Sequence, residues 1–190
     1  SDIYPPDSTF IFVTPRHWPK KAEWVQEKRA LNLWRDVRAY DADDLVHWIE
    51  LYPAVGQWLA GLLGQRPPGI RQLEEVWLEW SLATQWPLTQ ELILADRDDD
   101  AVAVLQWLRS EAALLSLQGE TADEIATLVF AAIAQLPGDA AQHYLTRCLV
   151  ETSAEAALDL ANRITRHLIC VHEPDTGLAH PLALREHHVH

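Results

Sequence analysis

Residues 8–49 read STFIFVTPRHWPKKAEWVQEKRALNLWRDVRAYDADDLVHWI. The apolar run Phe10-Ile11-Phe12-Val13 stops at Thr14-Pro15-Arg16, and a basic, aromatic turn follows. Trp24, Lys28 and Leu31 then recur at helical spacing, which predicts a helix over Lys21–Leu33. Arg35 to Tyr40 alternates as a strand or an edge strand does. Asp41-Ala42-Asp43-Asp44-Leu45 reads as a helix start, where Asp41 or Asp43 can cap free N–H groups and Asp44 suits the first turn. Strand, helix, strand, helix is the order found at the edge of an α/β sheet. Two strands cannot build a parallel-sheet core alone, and the chain opens on Ser1 with no Met anywhere. We therefore expect an internal piece of a longer protein or an engineered product, with any catalytic residues upstream.

Outward from that stretch, Pro53 opens a helix to Leu63 with Val55, Trp58, Leu59 and Leu62 on one side, closed by Gly64 and the breaker Arg66-Pro67-Pro68-Gly69. A helix over Ile70–Thr84 takes Leu73, Val76, Trp77, Trp80 and Leu82 as its apolar set, so residues 43–86 read as a Trp-rich, all-helical block. Leu88–Leu94 is a short mixed segment, and the acidic run Asp96–Asp100 precedes a helix carrying Val102, Leu105, Trp107 and Leu108. A strand at Ala113–Leu117, a Thr121-capped helix to Leu136, a break at Pro137-Gly138-Asp139, a short helix over Ala141–Tyr144 and a strand at Arg147–Val150 follow. A Ser153-capped helix to about Ile164 and a strand at His167–Val171 complete the pattern. Strands alternating with helices are βαβ units and pair in parallel. The expected fold class is α/β: a parallel sheet with flanking helices, and the Trp-rich helical block between two α/β segments. The expected divisions are 1–42, 43–86 and 87–190, the last incomplete at its C-terminus.

At 190 residues and 48% apolar content the chain can bury a core as one domain or two small ones. All nine Trp lie within the first 107 residues, mostly in helical contexts that suit packing. Cys148 and Cys170 fall on separate strand-like runs and read as free buried thiols in a reducing cytosol. No stretch of eighteen apolar residues and no signal peptide is visible, so a cytoplasmic, non-membrane protein is expected. The net charge of −13 is uneven: residues 1–40 hold seven Lys or Arg against five Asp or Glu, and residues 41–190 hold eight against twenty-three. Contact with nucleic acid is therefore expected only within residues 16–38.

Gln118-Gly119-Glu120-Thr121 occupies the place of a phosphate loop, after an expected strand and before a helix. A working loop needs several Gly, a Lys for the phosphates and a hydroxyl for magnesium. Here Gly119 and Thr121 stand without a Lys, and Glu120 and Asp123 would repel a triphosphate, so a plain strand-to-helix turn is the favoured reading. Of the C-terminal His residues, chelation by His188 and His190 with His172 is the weaker alternative to chance enrichment or a strand cut short by the chain end. Asp41, Asp43 and Asp44 resemble a magnesium cluster, but helix capping is the simpler explanation. Arg16, Lys20 and Lys21, interleaved with His17 and Trp18, could touch a phosphate backbone; the opposing reading is a solvated turn beside packed Trp. Ser116 and Ser153 lack a Gly elbow, and nothing activates Cys148 near His143. No catalytic residue, cofactor or metal is assigned.

The stretch from Phe10 to Ile49 resembles the back end of restriction-endonuclease-like domains in large bacterial proteins, where a Thr-Pro-Arg-like turn follows the catalytic strands and a Tyr-Asp-Ala-Asp-Asp-Leu-like helix start closes the domain. The resemblance covers residues 8–60. It implies catalytic carboxylates and a lysine before this region, and a supporting role for Thr14, Arg16 and Lys20. Leu94-Ala95-Asp96-Arg97-Asp98 is similar to the Gly-Arg-Glu entry of a nucleoside-triphosphatase-like module of bacterial defence proteins, here with a degenerate phosphate loop. Together they imply a non-catalytic structural or regulatory module of a nuclease-linked defence protein. The alternatives are part of a nuclease whose catalytic residues lie upstream, and an acidic protein-binding adaptor. The expected partners are other domains of the same polypeptide, a separate protein or a second copy of the chain.

Overall fold

The computed structural model describes residues 4–110 and 115–151, and the backbone of 168–171 and 188–189. The chain forms two compact units, Ser1–Ile49 and Glu50–His190. In the first, a 3₁₀ turn at Pro5–Asp7 leads into strand β1 (Thr9–Val13), helix α1 (Lys21–Ala30), strand β2 (Asp36–Tyr40) and helix α2, which begins at Ala42 and ends at Leu51. The strands pair in parallel, with Thr9 opposite Asp36 and Val13 opposite Tyr40. A parallel pair needs a crossover, and α1 supplies it. Only Val37 and Asp41 are fully buried among the described residues of this unit, while Ile11, Phe12 and Val13 stay exposed. Aromatic rings do the packing instead. Trp24 lies 5.1 Å from Trp18 and 5.7 Å from Phe12 between ring centroids, and Trp34 lies 5.2 Å from Phe10. Such tilted pairs add about 0.5–1.5 kcal/mol each beyond the area they bury.

The second unit contains helix α3 (Pro53–Leu62), strand β3 (Ile70–Gln72), helix α4 (Leu73–Ser81), helix α5 (Gln90–Leu94) and helix α6 (Asp98–Arg109). Helices α7 (Ala122–Ala134) and α8 (Gly138–Leu145) and strands β4 (Cys148–Glu151), β5 (Leu168–Val171) and β6 (His188–Val189) follow. The sheet order is β3-β4-β5-β6, with β3 antiparallel to β4 and the other pairs parallel. Cys148, Leu149 and Val150 are all buried, as expected of a parallel strand covered on both faces. Helix α7 is the centre of the core: Ile125 to Ile133 are buried without interruption, and α4, α5, α6 and α8 pack around it. Trp77 of α4 stacks on Phe130 of α7, with centroids 4.9 Å apart. No helix among the described residues is long and apolar enough to cross a membrane.

The α/β class and the parallel strand pairs are as the sequence pattern predicts. Three local expectations are corrected. The block over 43–86 is not all-helical, because Ile70–Gln72 is extended and joins the second sheet, so that α4 starts only at Leu73. The strand expected at Ala113–Leu117 is absent at Leu115–Leu117, where the chain is irregular; Leu115 and Leu117 pack on the core without a strand neighbour. The α3 face with Val55, Trp58 and Leu62 is exposed, and Pro53, Ala54 and Gln57 are the buried ones. The helix expected at Ser153–Ile164 lies outside the described residues.

Candidate functional site

Two helix starts carry the candidate residues. At the start of α2, Asp44 N–H donates to Asp41 Oδ1 (3.5 Å) and Asp41 N–H donates to Asp44 Oδ2 (2.9 Å), a reciprocal capping arrangement. Trp18 N–H donates to the other Asp41 oxygen at 3.2 Å. Lys21 Nζ, from the first turn of α1, donates to Asp41 Oδ1 at 2.8 Å and also to Asp44. The Lys21 ammonium therefore holds the buried Asp41 carboxyl well below the usual carboxylate range, against the opposing effect of burial. The same hydrogen bonds raise Lys21 above its ordinary value. His17 Nδ1 lies 2.9 Å from Asp43 Oδ2 on the exposed side.

This geometry redistributes the basic stretch. Lys21 is committed to Asp41 and Asp44, Arg29 and Arg38 converge on Asp36 at 3.0 and 2.9 Å, and Lys28 lies 3.0 Å from Glu27. Arg16 and Lys20 are exposed and have no ion-pair partner among the described residues. The structure thus separates Lys21 from the two cations it adjoins in sequence. His17, Asp41 and Asp43 form a group of ligand atoms within 4.8 Å of one another, the one such group of three found among the described residues. Its Asp41 oxygens already accept from Lys21, Trp18 and Asp44, and a metal there would face the Lys21 ammonium. Capping and ion pairing account for Asp41 and Asp44 without one. Of the weaker metal alternative, His172 and His190 lie outside the described residues, and His188 is described only as backbone in β6.

The second start is that of α7. Thr121 Oγ1 accepts from Glu124 N–H at 3.1 Å, the cap expected of this residue type. Glu124 turns its carboxylate back: Oε2 accepts from Glu120 N–H at 2.9 Å, and Oε1 accepts from Arg97 Nη1 at 2.9 Å. An anion does sit at this helix N-terminus, but it belongs to the chain itself. Gly119 lies close to the helix start: a Cβ there would lie 2.5 Å from Ile125 Cδ1 and 3.3 Å from Glu124 Oε2, so a larger residue would force the Ile125 side chain to shift. The turn follows irregular chain rather than a strand. Asp123, counted in the sequence as a repulsive charge, lies 3.3 Å from Arg71. The Thr-x-x-Glu spacing from Thr121 marks Glu124 in the sequence as the residue that closes the capping box; its partner Arg97, distant in sequence, had no signal at all.

No family model, curated protein or solved structure matches this chain.

Proposed function

We propose that this chain is a non-catalytic structural or regulatory α/β module of a nuclease-linked bacterial defence protein, acting through contacts with other domains of the same polypeptide or with a protein partner. One observation carries the non-catalytic part. The helix start where a phosphate would bind is filled by Glu124, held from both sides by Glu120 N–H and Arg97. A triphosphate would have to displace that carboxylate, break its pair with Arg97 and lie beside Glu120, with no lysine in the turn to compensate. The resemblance of residues 8–60 to the end of a restriction-endonuclease-like domain supports the setting. The experiment is a titration of the chain with Mg–ATP, followed by calorimetry and phosphate release, beside incubation with plasmid DNA in magnesium or manganese. No binding, turnover or cutting above buffer is expected. ATP turnover abolished by Thr121→Ala, or DNA cutting abolished by a substitution in this chain, would overturn the proposal.

Within residues 16–38, a contact with nucleic acid is favoured at Arg16 and Lys20, which are exposed and whose side chains carry no ion pair among the described residues. Such contacts position a backbone and read no sequence. Replacing both with Ala should reduce the salt-dependence slope of any DNA binding by about 2.

A further inference from the structure

A cleft of about 440 Å³ opens beside the α7 start, with Trp80, Leu92, Ile93, Arg97, Glu120 and Glu124 in its wall. That volume lies within the range of small-ligand and side-chain pockets. Its charges are not equally available. Arg97 is spent on Glu124 at 2.9 Å and on Asp100 at 3.4 Å, and the second oxygen of Glu124 is spent on Glu120 N–H. The Glu120 carboxylate is exposed and has no partner among the described residues. Asp96, Asp98 and Asp99, close by in sequence to Arg97, are exposed and carry no ion pair among the described residues. Opposite in character are the indole of Trp80 and the side chain of Leu92, which is 58% exposed. The cleft therefore offers one unspent carboxylate and an aromatic and aliphatic wall.

That combination suits a cation on an apolar stem. A Lys or Arg side chain buries its methylenes along such a wall and keeps its charge at the carboxylate, and an indole adds a favourable surface for the cation. An anionic ligand meets the reverse. We propose that this cleft binds a Lys or Arg side chain of a basic peptide segment in a partner protein, with Glu120 taking the charge and Trp80 and Leu92 taking the stem. The net charge of −13 would draw such a segment in, faster at low salt. The inference rests on the non-catalytic reading, because it treats Glu124 as a fixed part of the wall.

The test is a backbone-amide NMR titration of the whole chain with a blocked peptide of alternating Lys and Leu, its Glu-for-Lys counterpart, spermidine and Mg–ATP. The Lys peptide should shift amides in Leu92–Arg97 and Gly119–Glu124 and the Glu peptide should not. Glu120→Gln should weaken peptide binding about two- to five-fold, the scale of one exposed ion pair. Leu92→Ser should weaken it without changing its salt dependence. Both side chains are exposed, and circular dichroism confirms that the variants fold. Absence of these shifts at the highest soluble peptide concentration would overturn the inference, as would undiminished binding by Glu120→Gln or spermidine binding there as tightly as the peptide. Mg–ATP shifting the Gly119–Glu124 amides would instead overturn the non-catalytic reading. Silence from both peptide and ATP would overturn the cleft alone.

Discussion

Helix α1 has no buried residue, whereas α7 buries every position from Ile125 to Ile133. The two helices are the crossover of one unit and the hub of the other, and they show two ways of ordering a small fold. Around α7, apolar side chains from four other helices close on a helix that is hydrophobic on all sides, and order comes from close packing. Around α1, half-buried rings at the sheet and an ion-pair set through Lys21, Arg29 and Arg38 take that role. Packing order is sensitive to lost volume; electrostatic order is sensitive to lost protons and added salt.

The largest effect should therefore come from α7. Leu128 is 1% exposed, and Leu128→Ala should destabilise the chain by about 2–5 kcal/mol. Urea denaturation measures it. In the first unit the comparable truncation is Trp24→Ala, which removes ring contacts at 5.1, 5.7 and 6.5 Å to Trp18, Phe12 and Phe10. Because Trp24 is only half-buried, its loss should cost about 1–3 kcal/mol, less than Leu128→Ala despite the larger side chain. An equal or larger loss at Trp24 would break the contrast between the units.

The same contrast explains what could be read in the sequence. Phe10–Val13 and Cys148–Val150 were legible as strands because each is a short apolar run, and Thr121 was legible as a cap because its chemistry is local. Ile70-Arg71-Gln72 was not legible. Three extended residues run straight into Leu73, Val76, Trp77 and Trp80, and the helical period absorbs them; only pairing with the distant Leu149–Glu151 makes them a strand. Residues 115–117 failed in the opposite direction, because Leu115 and Leu117 pack on the core from irregular chain rather than from a strand. At the sites, local caps were visible, but the cations that complete them were not: Lys21 reaches Asp41 across a βαβ crossover, and Arg97 reaches Glu124 across a helix and the turn before α7.

A smaller effect should come from the α7 cap. Thr121→Ala leaves the Glu124 N–H without its acceptor and should cost about 1 kcal/mol, with Thr121→Ser restoring most of it. A thermal or urea midpoint decides this, and the change should be the same at pH 7 and pH 4, because the hydroxyl does not titrate in that range. A pH-dependent loss would mean that Glu124, not the hydroxyl, carries the cap.

At the α2 start a dependence on pH should be visible: the contribution is complete and flat around neutral pH and is lost towards both extremes. The Asp41 carboxyl is held below its ordinary value of 3.8 chiefly by the Lys21 ammonium, with help from the N–H groups of Trp18 and Asp44. As the pH falls through 3.8 the unfolded chain takes up this proton before the folded chain does, so stability present above that value is lost progressively on acidification. Lys21 has the opposite sign. Its raised value means that its contribution is complete below the ordinary 10.5 and is lost as the pH rises through the higher folded value. Other carboxylates titrate in the same acid range, so the informative quantity is a difference between two proteins. The melting temperature of the chain minus that of Lys21→Met should be positive and flat from pH 5 to 9, and should shrink below about pH 4, where the unfolded carboxyl titrates. It should shrink again above the ordinary lysine value of 10.5. A difference that stayed constant down to pH 2 would show that Lys21 stabilises the first unit by packing its stem rather than by holding Asp41, and the two units would then be ordered by the same kind of force.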